Sequence, residues 1–476
     1  MPTKPVGIDK VLKQALPKVK PSPADEKAMQ SFATKVKAAA AKACGKSARP
    51  LMAGSVEKGT WLSGKRELDL FLLFPASASR DDLQKKGLAF AEAMIKALKG
   101  KWLVAYAEHP YLKGSVRFQG LDYAIDVVPA FDISDPSKIK SAVDRTPHHV
   151  IYVKSKLNAQ LADQVRLVKA FAKAAGAYGA DVKTQGFSGY LCELLTIKYG
   201  GFVPCLSAAK DWYAGLLIDM EGKWKDHAAA MDKFKAPLMF IDPVDPNRNV
   251  AAAVSAESFY KFVKASRDFL RLPHASWFSP IRSKPYDEKE LAAAIARRGT
   301  RWYMVKFDRP DGLVDDILWP QMRRAVGALE SALAEGGFRV MRRDTWADDK
   351  LGVLLLELDV WQVPRAVKHI GPVVWSHQQA KAFLEHYKGK RVWVEKDNWV
   401  TETERPHVVA LHYLKELLSK PEDVLQSRGI PNHLSVPMGK AVVVSGGNAI
   451  ALAAKLPTDF MVFVRDFLEK DLNVLG

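Results

Sequence analysis

Residues 67–75, ELDLFLLFP, constrain the fold of this chain more than any other stretch. The run reads as a strand, and its first half alternates acid with leucine. Residues two apart on a strand share a face, so Glu67 and Asp69 project together while Leu68 and Leu70 turn to a core. Two carboxylates on one face repel unless cations neutralise them, and hard divalent ions such as Mg2+ take oxygen ligands. A third acid, Asp126, stands in DYAIDVV (122–128) among β-prone residues, which predicts a second strand. Three carboxylates on neighbouring strands predict a site for two metals, one activating an attacking hydroxyl and one stabilising a leaving phosphate.

Gly54-Ser55, upstream of the acids, is the complementary half. A helix beginning there would offer backbone N–H groups and the Ser55 hydroxyl to a triphosphate, with Lys58 adding charge one turn on. Gly54 would let the backbone approach closely. The plainer alternative is a half-solvated edge strand after an ordinary turn. The conjunction of Gly-Ser, Glu-x-Asp and Asp126 favours the functional reading.

The rest of the sequence restricts the partners. The chain has 476 residues with 71 Lys and Arg against 53 Asp and Glu, a net charge of +18 that points to a polyanion, nucleic acid before membrane. At roughly 150 residues per domain it holds about three domains. Cys44, Cys192 and Cys205 are odd in number and without CxxC spacing, which excludes a disulfide framework and a structural zinc site. Residues 190–206 are the most apolar stretch, but Glu193, Lys198 and Gly200-Gly201 interrupt it, so no membrane span is predicted. The lysine-rich first twenty residues have no apolar segment of a signal peptide, which gives a cytoplasmic expectation.

The pattern along the chain predicts a multidomain protein of α/β and α+β type. Residues 1–145 read as a small mixed α/β domain: a helix over 22–44 capped by Ser22, the 67–75 strand, a helix from Ser79 to Gly100, strands near 102–107 and 115–119, and a strand from 121 after Gly120. Residues 146–272 read as a helical central domain, with helices opening at Asn158, Ser188 and Ser255 and a strand at 238–241. A boundary falls in the Pro-, Ser- and Arg-rich stretch 273–301. Residues 273–476 form an α+β region with an inserted subdomain of about 302–405. There, strands are predicted at 302–307, 338–342, 352–360 and 391–395, and helices at 320–335, 377–387 and 457–468.

The Gly-Ser followed by Glu-x-Asp resembles the signature of the polymerase-β-like nucleotidyltransferase superfamily. The longer pattern is closer still. GSVEKGTWLSGKRELDLFLLFP, AIDVVPAF, SAVDRTPHH, GFSGYLCELL and DPVDPNRNVAAA resemble the archaeal-type (class I) CCA-adding enzymes in order and spacing. GTRWYMVKF, VDDILWPQMRRA and IGPVVW resemble that family's C-terminal part. The resemblance implies an N-terminal nucleotidyltransferase domain, a central domain closing the nucleotide pocket, and a C-terminal region that binds the acceptor stem and T-arm side of tRNA. The implied reaction adds C, C and A to the tRNA 3′ end from CTP and ATP without a template. It implies Mg2+ held by Glu67, Asp69 and Asp126, and triphosphate contacts from Ser55, Lys58, Lys169 and Tyr178. Thr146 and His149 match positions near the phosphates and sugar, and Arg248 the arginine that reads the base. Lys58 replaces an arginine common in relatives, keeping the charge but not the bidentate fork. Family members include homodimers, and no interface signature stands out here.

Without the resemblance, several of these residues have ordinary readings. His148-His149, taken as an extended pair pointing opposite ways, is a structural pair, and Arg248 is a solvated loop arginine. Arg282, Lys284, Arg297, Arg298, Arg301, Arg323, Arg324, Lys388, Lys390 and Arg391 supply phosphate contacts in some combination. Trp302, Trp361, Trp375, Trp393 and Trp399 are mostly core, with one or two open to base stacking. The rival readings are a poly(A)-type RNA polymerase, a DNA repair polymerase and a non-catalytic RNA-binding protein on the same scaffold.

Overall fold

The computed structural model describes residues 7–106, 109–279 and 283–469, so Arg282 and the first six residues lie outside the described residues. The chain divides into two compact units at residues 281 and 282. In the first unit the elements run α1 (Ile8–Val19), α2 (Pro23–Cys44), β1 (Arg49–Ala53), α3 (Gly54–Glu57), β2 (Glu67–Pro75), α4 (Arg80–Ala97), β3 (Lys101–Tyr106), β4 (Pro110–Phe118) and β5 (Leu121–Asp132). They continue with α5 (Arg145–Lys156), α6 (Ala159–Ala174), α7 (Gly189–Tyr199), α8 (Phe202–Ala209), β6 (Leu216–Ile218), α9 (His227–Phe234), β7 (Leu238–Phe240) and α10 (Ala256–Arg271).

The predicted caps govern the helices here. Ser22 accepts from Asp25 N and Asp25 answers back to the Ser22 backbone, a capping box with Pro23 at the first helical position. Ser79, Asn158, Ser188 and Ser255 cap their helices by accepting from the backbone N–H three residues on, without the reciprocal bond. β2 has the predicted bounds, and β5 runs to Asp132. The strand predicted near 102–107 is found as β3, and residue 107 lies outside the described residues.

The sheet has the order β1-β2-β5-β4-β3, with β2 and β5 parallel and the other pairs antiparallel. Its two faces are covered differently. Leu68, Leu70, Leu72 and Phe74 of β2 join Phe32 and Val36 of α2 and Met94 and Ile95 of α4 in one core. On the other face Phe71 and Leu73 pack with Ala53, Ala130 and Val150 of α5. The face that carries Glu67 and Asp69 at its start therefore turns apolar within one residue pair. Each such leucine or phenylalanine, fully buried, contributes about 1.5–3 kcal/mol. A separate core of α1, α6, α7, α8 and α10 holds Phe171, Phe202, Phe259, Phe262 and Phe269.

Two elements of this unit differ from expectation. α1 buries Val11, Ala15 and Val19 in the helical core, so its lysines hid an amphipathic helix. His148 and His149 lie on α5 rather than in an extended segment. Pro147 is tolerated there because it falls in the first turn, where its missing N–H has no helical partner.

The second unit opens with α11 (Glu288–Arg298), β8 (Arg301–Asp308), α12 (Asp315–Glu335), β9 (Arg339–Ala347), β10 (Leu351–Val360), β11 (Ala366–Val373), α13 (His377–His386), β12 (Val392–Glu395) and β13 (Asn398–Glu404). Helices at Ala410–Leu418, Glu422–Ser427 and Asn432–Gly439, the strand β14 (Val442–Ser445), and helices at Gly447–Ala453 and Thr458–Glu469 follow. A sheet of order β14-β8-β10-β9 packs against α12, and β11-β13-β12 form a smaller sheet with α13. The stretch read as a boundary contains α11, which a capping box at Asp287 starts. Helix α12 begins at Asp315, five residues before Pro320. Trp302 is fully buried and Trp375 is 66% exposed. Arg298 donates to the buried Glu357 at 2.5 and 3.1 Å, which makes it part of this unit's interior rather than a free phosphate contact.

Candidate active site

Asp69 sits directly opposite Asp126 in the parallel β2–β5 ladder, and opposite Ala53 on β1. The chain leaves β1 at Gly54 with φ +67°, a conformation that favours glycine. A Cβ on Gly54 would lie 1.7 Å from Asp69 Oδ2. The Gly-Ser turn and Asp69 are therefore in close contact, and a side chain at residue 54 would have to displace that carboxylate as well as adopt a left-handed φ.

Among the described residues no cation fully offsets Asp69 and Asp126. Burial, then the neighbouring Asp126, push the Asp69 carboxyl up to about 6, against the opposing charge of Lys58. Burial likewise raises Asp126, against Lys113, which faces it across the β4–β5 pair. Glu67 is exposed and its Oε1 accepts from Lys65 Nζ at 2.7 Å. Among the described residues no three His, Cys, Asp or Glu side chains are gathered to hold a metal. The donor set nonetheless fits a divalent cation: two hard carboxylates in register, with raised proton affinity, and a third two residues away on an exposed, rotatable side chain.

A second cluster lies around Glu193, which is fully buried on α7. Its Oε1 accepts from Lys169 Nζ at 2.8 Å and from Thr60 Oγ1 at 2.6 Å, and its Oε2 accepts from Lys58 Nζ. Lys169, on α6, also donates to Thr60 Oγ1 at 3.0 Å. Burial opposes ionisation of Glu193, but Lys169 and Lys58 override it and hold the carboxyl at about 2. Arg166, one turn before Lys169, donates to Gly59 O at 2.7 Å and Trp61 O at 3.1 Å, tying the loop after Gly-Ser to α6. Lys58 and Lys169, far apart in sequence, thus share one counter-ion.

Asp242 is the centre of a third cluster. It is fully buried. Its Oδ2 accepts from His149 Nε2 at 2.9 Å and Arg248 Nη1 at 2.7 Å, and its Oδ1 from Tyr190 OH at 3.2 Å and Val244 N at 3.0 Å. Burial again opposes ionisation, and the bonds from His149, Val244 and Arg248 bring the carboxyl to about 2. Burial pushes His149 below its ordinary value, so it is neutral at pH 7 and donates through Nε2–H.

Tyr190 joins the second and third clusters. Its ring stacks on His149 with centroids 4.1 Å apart, and Lys58 Nζ lies 5.5 Å from its centre. Thr146 lies three residues before His149 on α5, hence on the same helix face, and α5 packs against α3, β1 and α7. Tyr178 pairs with Phe187, and a Cβ on Gly189 would lie 3.2 Å from its hydroxyl and 3.6 Å from Lys169 Nζ. All ten residues singled out from the sequence lie in the first unit, in three linked groups. Sequence reasoning missed Glu193, Asp242, Tyr190 and Thr60. Glu193 had a signal: a lone carboxylate interrupting an apolar helix is seldom buried without partners. Asp242 opens the Asp- and Pro-rich stretch DPVDPN (242–247) before Arg248, with nothing local to distinguish it.

Comparison with known proteins places the chain in a family. Residues 163–279 match the family model of the tRNA nucleotidyltransferase second domain, and residues 298–429 that of the CCA-adding enzyme C-terminal domain. The CCA-adding enzyme of Methanothermobacter thermautotrophicus is 38% identical over 384 residues, 80% of this chain and 82% of that protein. That of Methanoregula boonei is 40% identical over 82% of each chain. That of Methanosarcina acetivorans is 35% identical over 98% of this chain and all of that protein. Among the described residues no helix is long and apolar enough to cross a membrane. With relatives 35–40% identical matched over 80% of this chain or more, the chain belongs to the CCA-adding enzymes.

Proposed function

We propose that this protein completes and repairs the 3′-terminal CCA of tRNA by nucleotidyl transfer from CTP and ATP, with Mg2+ as its divalent ion. The observation that carries the reading is the in-register pair Asp69 and Asp126 against the Gly54-Ser55 turn. Asp69 and Asp126, with Glu67 rotated from Lys65, are the groups that hold the cation. When bound, it supplies charge neutralisation at the α-phosphate and a lowered pKa for the attacking hydroxyl. Ser55, Lys58, Lys169 and Tyr178 bind the triphosphate, with Lys58 exchanging its bond to Glu193 for phosphate oxygens. Thr146 and His149 orient the phosphates and sugar, His149 as a neutral donor. Arg248 contacts the incoming base. The tRNA 3′-hydroxyl bonds to the α-phosphorus as the bond to pyrophosphate breaks, and its proton passes to water or to the neighbouring Asp126; positioning and charge stabilisation supply most of the rate.

Residues 1–145 form the catalytic domain in this reading, 146–272 the part that completes the nucleotide pocket, and 273–476 the part that grips the acceptor stem and T-arm side. The net charge of +18 suits that role and predicts a salt-dependent affinity. The test is incorporation of labelled CTP and ATP with Mg2+ on tRNAs ending before CCA, after C and after CC. Addition of only the missing nucleotides, stopping at A, is the expected result. Long A tails would move the protein to the poly(A) class, and tight tRNA binding without incorporation would overturn the catalytic reading.

A further inference from the structure

We infer that Asp242 is a positioning residue for nucleotide choice: it holds the Arg248 guanidinium in the one orientation that accepts cytosine and adenine and refuses uracil and guanine. The inference rests on the reading that Arg248 faces the incoming base.

A guanidinium carries donors only. At the ring nitrogen in the middle of the pairing edge, cytosine N3 and adenine N1 are acceptors, whereas uracil N3 and guanine N1 carry hydrogens. A fixed donor at that point satisfies C and A and leaves two hydrogens facing each other with U and G. A free arginine has enough rotamer freedom to turn away from the clash, and discrimination then disappears. Selectivity therefore needs a second group that stops the guanidinium from turning.

Asp242 has the properties for it. Arg248 comes from an irregular loop after Asp245, and its side chain is 35% exposed, so one side meets solvent while Nη1 is bonded to Asp242 Oδ2 at 2.7 Å. The carboxylate is itself immobile. It is fully buried, and His149, Tyr190 and the Val244 N–H take the rest of its acceptor capacity. Its partners come from α5 and α7 as well as its own loop, so the anchor is referenced to the same helices that carry His149 and Tyr190. A buried site built to pair one pattern of donors and acceptors rejects the mismatched one strongly, because the unmade bond leaves a desolvated group without a partner.

The experiment measures kcat/KM for CTP and for UTP on tRNA lacking CCA, in the wild type, Asp242→Asn, Arg248→Ala and the double variant. The ratio of the two constants cancels the concentration of folded enzyme, so partial unfolding of a variant does not move it. Arg248→Ala is expected to lower the CTP preference at least tenfold. Asp242→Asn should do the same, and the double variant should be no worse than Arg248→Ala alone. Tyr190→Phe, which removes one of the four bonds to Asp242, should lower the ratio by a few-fold at most. If Arg248→Ala leaves the ratio unchanged, the base-reading role of Arg248 fails and this inference with it. If Arg248→Ala lowers the ratio while Asp242→Asn stays within twofold of wild type, or if the two effects multiply, Asp242 does not act through Arg248 and the inference alone is overturned.

Discussion

Two groups of buried or half-buried carboxylates in the first unit have opposite electrostatics. Asp69 and Asp126 lie side by side, and burial with mutual repulsion pushes their proton affinity up. Glu193 and Asp242 are more deeply buried, yet their carboxyls are held near 2, Glu193 by the charges of Lys169 and Lys58 and Asp242 by hydrogen bonds from His149, Val244 and Arg248. Burial acts in the same direction on all four. What differs is whether the fold provides the counter-charge. Where it does, the carboxylate is ionised and fixes the orientation of the cations bonded to it. Where it does not, the carboxyls keep a raised proton affinity, which is the property the proposed cation would relieve.

The largest effect that separates the two groups is catalytic. Asp126→Asn should lower nucleotide incorporation by about a thousandfold or more while tRNA affinity in a filter-binding assay stays within a few-fold of wild type. Equal loss of both would erase the distinction between metal-holding and structural acids. Next is stability at the compensated group. Glu193→Ala leaves two nearly buried ammonium groups unpaired and should cost about 3–5 kcal/mol in denaturant unfolding of the full chain. A cost below about 1 kcal/mol would mean that the lysines reach solvent on their own.

Asp69→Asn should move stability the other way. In chelator it relieves the repulsion with Asp126 and should stabilise the protein by about 1–2 kcal/mol, two pKa units discounted for partial exposure. With Mg2+ present the gain should shrink or reverse, because only the wild type binds the ion tightly. A loss of stability in chelator would show that Asp69 is already compensated. The smallest effect is the pH dependence of that gap. A raised folded value favours the native state below the ordinary 3.8 and weakens it as pH rises toward about 6, so the advantage of Asp69→Asn in chelator should be full at pH 7 and vanish by about pH 3.5. Glu193 and Asp242 have the opposite sign: their contribution is full above about 4.5 and lost as pH falls toward 2. Thermal melts every half unit from pH 7.5 to 3 measure both.

Elements with a local signal were legible. β2, α2 and α7 have the bounds that their alternation and their Ser, Gly and Pro caps predict, because these are short-range effects. α1 and α11 were not, since lysine-rich or proline-flanked stretches hide a narrow apolar stripe that only a neighbouring core makes useful. The helical setting of His148 and His149 was hidden for a similar reason: Pro147 suggests an extended segment until Arg145 is seen to start the helix.

The sequence by itself determined the nature of the chemistry. Alternation at Glu67 and Asp69, the Gly54-Ser55 turn and a net charge of +18 are properties of the chain that no folding partner can change. Only the tertiary structure decided which charges meet. It set Asp126 level with Asp69, brought Lys58 and Lys169 onto Glu193 across 135 and 24 residues, and turned His149, Tyr190 and Arg248 onto Asp242. Electrostatic interaction falls with distance through space and takes no account of distance along the chain, so a carboxylate's role is undefined until the fold supplies its neighbours.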